Sequence, residues 1–228
     1  LEIRNLVVDW NWDKDRVASL VRIQNKTDNS FEIKFLELDD VDENIPIVSF
    51  QQYDGKDLVP GSYGGYRSFA PAEKPGSIVS VEKIEPNVLK IVFSKEFTTS
   101  FHNEDVYILR HYTYGGAVFN VAGSSRNITF DNVRIYGSAG MGFVFGYNTN
   151  HFQIINSYIG LRPGHEDKQR MSTSADGIHI LNTDGYFRID NCDLSFTGDD
   201  IINIHDDIMK VEEAKSNTVF GKVTGGFV

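Results

Sequence analysis

The sequence predicts an all-β fold in which short parallel strands stack in successive coils, a parallel β-solenoid. Three observations support this class. Apolar and polar residues alternate in many short segments, which is the side-chain period of a β-strand. Four of these segments can be aligned with one another, which indicates a structural repeat. Glycine and asparagine stand between the segments, and no apolar pattern at the helical period of 3.6 residues is present.

The four aligned segments each place an asparagine at the fifth position. They begin at Leu1, Ile128, Phe152 and Phe187, and the asparagines are Asn5, Asn132, Asn156 and Asn191. In stacked coils equivalent residues lie about 4.8 Å apart. We therefore expect an asparagine ladder in which each side-chain amide bonds the next coil.

A second strand follows three of these segments. The paired positions are Ile128 with Phe143, Phe152 with Ile178, and Phe187 with Ile202. The first and last pairs are 15 residues apart, the middle pair is 26 apart, and the excess of 11 fits a polar loop over residues 162–170. Without that loop the period is about 24 residues, which is typical of one solenoid coil.

The period is broken by roughly 100 residues that follow the first segment. Alternating segments there flank turn signals, which predicts antiparallel hairpins at residues 19–35 and 77–93. A further hairpin starts at Val211 and turns near Ser216. The predicted division is a first coil (1–9), an inserted antiparallel β-barrel (10–109), coils that carry an acidic site (110–208) and the start of a second, truncated insertion (209–228).

The composition excludes some functions. The chain has 22 Lys and Arg against 32 Asp and Glu, a net charge of −10, and its basic residues are scattered, whereas nucleic-acid binding needs a basic patch. Its apolar runs are far shorter than the about 20 residues that span a membrane. The single cysteine, Cys192, has no partner for an internal disulfide. The sequence starts at Leu1 without a signal peptide, so we interpret it as a piece of a longer chain.

Asp176, Asp199 and Asp200 form the strongest chemical signal. Asp176 and Asp200 occupy equivalent positions of consecutive coils, so their backbones should lie about 5 Å apart. Two carboxylates at that distance repel by about 3 kcal/mol at an effective dielectric of about 20, which separates their pKa values and allows one to act as acid and one as base. Gly198 permits a bend that turns Asp199 toward the same cleft. The alternative interpretation is an Asp-rich turn or a bound calcium ion.

Other polar residues are predicted to lie beside these acids. His179, Asn203 and His205 alternate with inward-facing isoleucines, so they should face solvent in the same groove, where they suit hydroxyl recognition and proton transfer on a sugar. Arg170 closes the polar loop before the acids and could reach the groove. Tyr112 marks the return to the coils and should stack on a sugar or cap the core. The six histidines lack zinc-site spacing.

The run Ala-Asp-Gly-Ile-His at residues 175–179 and the run Gly-Asp-Asp-Ile-Ile-Asn-Ile-His at residues 198–205 resemble the acidic motifs of glycoside hydrolase family 110. The members of that family are inverting, exo-acting α-1,3-galactosidases. The resemblance covers most of the chain and implies a right-handed parallel β-helix of the pectin-lyase type with an inserted antiparallel β-barrel. It also implies that Asp176, Asp199 and Asp200 are the active-site acids and that Arg170, His179 and His205 line the sugar pocket.

This resemblance leads to a set of functional expectations. One aspartic acid should protonate the leaving oxygen while another, about 6.5–9.5 Å away, activates water, with Asp176 on one side and the pair Asp199 and Asp200 on the other. The partner should be an oligosaccharide or glycan, and we expect no cofactor apart from a structural calcium ion. We expect a bacterial protein that is secreted or held at the cell surface. The oligomeric state is not predicted.

Three alternatives remain open from the sequence. Polygalacturonases also carry paired acids on a β-helix, but their Gly-His-Gly and Arg-Ile-Lys motifs are absent here, and the negative charge disfavours a polyanionic substrate. A polysaccharide lyase would need a Lys or Arg base and a calcium site. A non-catalytic carbohydrate-binding or adhesive β-helix would use the acids only to hold turns or calcium.

Overall fold

The computed structural model describes residues 1–53, 68–74, 76–96, 101–207 and 209–223. They form 21 β-strands, numbered here in chain order, and one short 3-10 helix, Pro71–Glu73. The predicted all-β class is therefore confirmed. No helix in the described part of the chain has the length and apolar character needed to cross a membrane.

Twelve of the strands form three parallel sheets of four strands each. The first sheet contains β1 (Glu2–Arg4), β11 (Arg126–Asp131), β14 (Asn150–Ile155) and β17 (Phe187–Asp190). The second contains β10 (Ala117–Val121), β13 (Met141–Gly146), β16 (Ile178–Leu181) and β19 (Ile202–His205). The third contains β2 (Val7–Val8), β12 (Arg134–Ile135), β15 (Tyr158–Ile159) and β18 (Asp193–Leu194). From β11 to β19 the chain visits the first, third and second sheets in that order, three times in succession.

The parallel strands pair in the register that the repeat predicts. The stacked rows are Ile128, Phe152 and Phe187 in the first sheet, and Phe143, Ile178 and Ile202 in the second. Apolar side chains from successive strands therefore lie above one another and form a buried core. Within it the rings of Phe145 and Phe152 stack with their centroids 3.9 Å apart. Removal of this apolar surface from water is the main stabilisation available to such a fold.

The asparagine ladder is confirmed for two of its three steps. The amide of Asn132 donates to the side-chain oxygen of Asn5 at 2.7 Å, and the amide of Asn191 donates to that of Asn156 at 2.8 Å. At the middle step Asn156 donates instead to Asp131, at 2.8 Å. All four asparagines have φ between 52° and 55°, in the left-handed region that asparagine tolerates better than most residues.

Seven further strands form an antiparallel sheet. Their order across it is β6 (Ser68–Phe69), β5 (Ser49–Tyr53), β9 (Val106–Arg110), β3 (Ala18–Gln24), β4 (Ser30–Phe35), β8 (Val88–Phe93) and β7 (Ile78–Glu85). The predicted hairpins are present as β3 with β4 and β7 with β8, and a last hairpin joins β20 (Met209–Lys215) to β21 (Thr218–Val223). The closure of the seven strands into a barrel and the domain boundaries stay predictions.

Arg110, at the end of β9, ties the antiparallel sheet to the parallel strands. Its buried side chain donates from Nε to the hydroxyl of Ser49 at 2.7 Å. Its Nη1 donates to the carbonyl oxygens of Ser174, at 3.1 Å, and Gly198, at 3.2 Å. These two carbonyls belong to the turns that precede β16 and β19, so one guanidinium group fixes both turns against the sheet.

His111 anchors the chain as it leaves the antiparallel sheet. Its Nδ1 lies 2.7 Å from the carbonyl oxygen of Pro46, and its Nε2 lies 2.9 Å from the hydroxyl of Ser19. Because a carbonyl oxygen only accepts, Nδ1 carries the proton and Nε2 accepts from the hydroxyl. Burial lowers the pKa of His111 to about 4, so the imidazole is neutral near pH 7 and its tautomer is fixed.

Candidate active site

The three aspartates lie in the turns that precede β16 and β19. The amide of Gly177 donates to the carbonyl of Asp200 at 2.9 Å, which holds the turn of Asp176 in register with the next one. A Cβ atom on Gly198 would lie 2.6 Å from the carbonyl oxygen of Ser174. The close approach of the two turns therefore favours glycine at position 198, and the chain bends at Gly198 and Asp199, as the sequence predicts.

One carboxylate oxygen from each of Asp176, Asp199 and Asp200 lies within 4.8 Å of the others. Asp199 and Asp200 can both join the cluster because β19 begins only at Ile202, so the alternation of a strand does not separate them. Asp176 is buried, and the other two acids are exposed. This distance joins one oxygen of each acid and not the whole carboxyl groups, so the separation of about 6.5–9.5 Å expected for an inverting pair stays a prediction.

Asp176 is held by hydrogen bonds from its predicted polar neighbours, His179 and Asn203. Nδ1 of His179 lies 2.5 Å from its Oδ2, and the amide of Asn203 lies 3.4 Å from the same oxygen. Nε2 of His205 lies 3.2 Å from Nε2 of His179. His179 and Asn203 are paired across β16 and β19, as the repeat predicts. The result is a chain of hydrogen bonds that runs from the buried carboxylate of Asp176 to the half-buried imidazole of His205.

Tyr114 contacts the acid cluster through Asp199. Its hydroxyl donates to Oδ2 of Asp199 at 2.6 Å. Burial, this hydrogen bond and the charges of Asp199 and Asp176 raise the pKa of Tyr114 well above its usual value, although Arg110 opposes the shift. The phenol therefore remains a hydrogen-bond donor at any pH at which the protein is folded and active.

The protonation of Asp200 is sensitive to the rest of the cluster. Burial raises the pKa of its carboxyl group, and the negative charges of Asp199 and Asp176 raise it further, while His179 acts in the opposite direction. Like charges held close together disfavour the ionised form of one of them. The protonation of Asp200 therefore depends on the charges of its neighbours, which is a useful property where one acid must donate a proton and another must accept one.

The structure places two other predicted site residues away from the acids. The hydroxyl of Tyr112 donates to the carboxylate of Asp15, with both oxygens at 2.9 Å. Nε of Arg170 forms an ion pair with Glu37 at 2.6 Å, and its terminal nitrogens donate to main-chain carbonyls of the polar loop. Neither contact involves the acid cluster, so the expectation that these two side chains line its groove is not met.

Two residues at the site were missed from the sequence. Tyr114 lies two positions after Tyr112 in the same aromatic segment. That segment was the signal in the sequence for a tyrosine near the parallel strands. Arg110 carried no signal, since it ends an ordinary alternating strand. Its role depends on the path of the whole antiparallel sheet, which no local pattern reports.

The three acids also form a set of oxygen donors that could hold a cation. Each offers one carboxylate oxygen to a common point, and hard divalent cations such as Ca²⁺ and Mg²⁺ prefer oxygen ligands. Ca²⁺ takes six to eight such ligands, so water or a bound substrate would have to complete its coordination here.

Comparison with known proteins points to a glycosidase. No protein-family model matches the chain. Over 156 residues the chain is 26% identical to the α-1,3-galactosidase B of Bacteroides thetaiotaomicron, and this alignment covers 68% of the chain. It covers 23% of that galactosidase, so the chain spans about a quarter of its relative. The similarity supports a distant relationship to a glycoside hydrolase.

The coupling of the acids predicts the effect of removing one charge. In Asp199→Asn the pKa of Asp200 should fall, because one of the two negative charges that raise it is lost while its burial is retained. The measurement is a carbon NMR titration of the carboxyl groups. Asp184→Asn, a change outside the acid cluster, serves as the control and should leave the pKa of Asp200 unchanged. An unchanged Asp200 titration in Asp199→Asn would contradict the coupling.

Proposed function

We propose that this protein is a glycoside hydrolase that releases a terminal α-linked galactose, with an α-1,3 linkage as the preferred substrate. The observation that carries the proposal is the group of three aspartates with oxygens within 4.8 Å of one another, two of them exposed. Glycosidases use pairs of carboxyl groups for acid and base catalysis. The identity to an α-1,3-galactosidase supports the choice of sugar and linkage.

The proposal includes the architecture and location of the protein. We infer that the three parallel sheets are the faces of a right-handed parallel β-helix, which the repeated passage of the chain through them supports. The antiparallel sheet then belongs to an insertion between β2 and β10, the second and third strands of the first coil. A protein that acts on glycans outside the cell would be secreted or attached to the surface.

The geometry suggests how the side chains divide the work. Asp199 and Asp200 are exposed and can touch a bound sugar, so they are the acids best placed to exchange protons with the glycosidic oxygen and with water. Asp176 lies beneath them and adds negative charge, which stabilises an oxocarbenium-like transition state. His205 is half-buried and can bind a sugar hydroxyl with its accessible part, while His179 links it to Asp176.

The first test of this proposal is proton NMR of the anomeric region during incubation with a Galα1-3Gal disaccharide. The full-length protein should release galactose, and the β-anomer should appear first if the reaction inverts, as the sequence resemblance implies. Asp199→Asn and Asp200→Asn should each lower kcat by about 10²-fold or more, because each removes a group that exchanges a proton. Both variants should keep the circular dichroism spectrum of the parent.

Other outcomes of this experiment have distinct meanings. Initial appearance of the α-anomer would show retention and would contradict inversion. Loss of release in EDTA with recovery in calcium would show that the acids act through a cation. Full activity in both aspartate variants would contradict the assignment of the active site.

A second test concerns Tyr114. Tyr114→Phe removes the hydroxyl that donates to Asp199, and we expect kcat to fall by about tenfold, since a hydrogen bond to a charged group contributes about 1.5–3 kcal/mol. The pH dependence of kcat should change at the same time, because the environment of a catalytic carboxylate has changed.

The matched control is Tyr112→Phe. This variant also removes a tyrosine hydroxyl that donates to an aspartate, but that aspartate is Asp15, outside the acid cluster. Its kcat and its pH profile should match those of the parent. Equal effects of the two substitutions would show that Tyr114 has only a structural role.

A further inference from the structure

A cavity whose lining contains none of the three site acids plays no part in the mechanism above. Its volume is about 320 Å³, which is within the range of small-molecule sites. It opens between two chain segments, residues 9–16 and residues 162–169. The side chains that carry the argument are Trp10, Trp12, Arg16, Arg162, Lys168 and Asp9.

The first wall of the cavity carries both tryptophans of the chain. They are seated on Gly137, where a Cβ atom would lie 2.6 Å from Cβ of Trp10 and 3.0 Å from Nε1 of Trp12. The indole Nε1 of Trp10 donates to the carbonyl of Asp15, and both tryptophans are half-buried. The aromatic wall is therefore fixed by contacts that leave part of each ring exposed.

The second wall is ordered by a buried glutamine. Gln169 is 1% exposed, accepts from the amide of Arg162 at 2.8 Å and donates to the carbonyl of Met171 at 3.1 Å. It also donates to the carbonyl of Tyr136. A polar side chain that is buried with its hydrogen bonds satisfied holds a loop in one conformation. The polar loop predicted from the sequence therefore forms an ordered wall of the cavity.

Charges of both signs line the cavity. Arg162 contacts Asp9 at 3.0 Å, and Arg16 contacts Glu37, which also binds Arg170, at 3.6 Å. Asp13 and Lys168 add one charge of each sign. The ion pair of Arg162 and Asp9 is partly exposed, so it can offer donors and an acceptor to a ligand. Paired donors and acceptors next to aromatic faces suit a ligand that has hydroxyl groups and an apolar ring face but no net charge.

We propose that this cavity is a second carbohydrate-binding site that takes a neutral pyranose. One face of the sugar ring packs on the exposed parts of Trp10 and Trp12, and the ion pair of Arg162 and Asp9 holds its hydroxyls. Binding here requires no cleavage, so the site is independent of the proposed hydrolysis.

The position of the cavity connects it to the acid site. Trp10 packs edge to face on Tyr112, with ring centroids 5.8 Å apart, and Tyr114, two residues later, contacts Asp199. Two residues span at most about 7 Å of backbone. The aromatic wall of the cavity and the acid cluster are therefore connected through residues 112–114.

Tryptophan fluorescence tests the proposal directly, because both tryptophans of the chain line the cavity. The full-length protein carrying Asp199→Asn is titrated with methyl β-galactoside, methyl β-glucoside and methyl β-glucuronide. A saturable change in fluorescence with a neutral glycoside is expected. Arg162→Gln in the same background should weaken binding about tenfold, because a hydrogen bond to a charged group is lost.

Arg188→Gln is the matched control, since Arg188 forms a comparable exposed ion pair with Asp190 on another face, and it should leave the affinity unchanged. The proposal is overturned by the absence of a saturable response to either neutral glycoside, by a response to the glucuronide alone, or by equal affinity in Arg162→Gln. Saturable binding in a protein that releases no galactose would support this binding site and refute the hydrolase proposal.

Discussion

The guanidinium group of Arg110 joins three parts of the molecule that are distant in sequence. It binds a serine hydroxyl in the antiparallel sheet and two carbonyl oxygens in the turns that carry the acids. A planar group with five donors suits this task better than an ammonium group, because its geometry fixes the angles between partners. Burying its charge is costly unless hydrogen bonds replace water, and here they do so at the points where the acid turns must be held.

The acid cluster depends on this arrangement because its members repel one another. Three carboxylates with oxygens within 4.8 Å would separate if their turns were free to move. Hydrogen bonds from His179 and Tyr114 stabilise two of the negative charges. The close contact at Gly198 leaves the turns no room to adjust. Desolvation, together with the repulsion from Asp199 and Asp176, raises the pKa of Asp200.

Periodicity made much of the fold predictable. A strand has a strict two-residue period and a coil an almost constant length, so the register of the parallel strands and the asparagine ladder followed from the sequence. The pairing of His179 with Asn203 followed for the same reason. The grouping of the acids came from equivalent positions in two coils.

Residues in irregular segments were harder to place. Arg170 was expected at the acids because it precedes them in sequence, yet Glu37 of the inserted segment binds it elsewhere. Tyr112 and Tyr114 could not be told apart, because the path of a turn with a positive φ at Tyr114 has no periodic signature. The role of Arg110 depends on contacts across more than 60 residues of sequence, and such contacts follow from the tertiary fold alone.

Amide hydrogen exchange in an Arg110→Met variant tests the central claim most directly. The amides of Gly177 and Gly198 donate to neighbouring turns and report on the acid site, whereas the amide of Ile154 reports on the buried core of the parallel sheets. We predict faster exchange at Gly177 and Gly198 with protection retained at Ile154. Unchanged exchange at all three amides, or an equal increase at all three, would contradict a specific role of Arg110 in holding the acid turns.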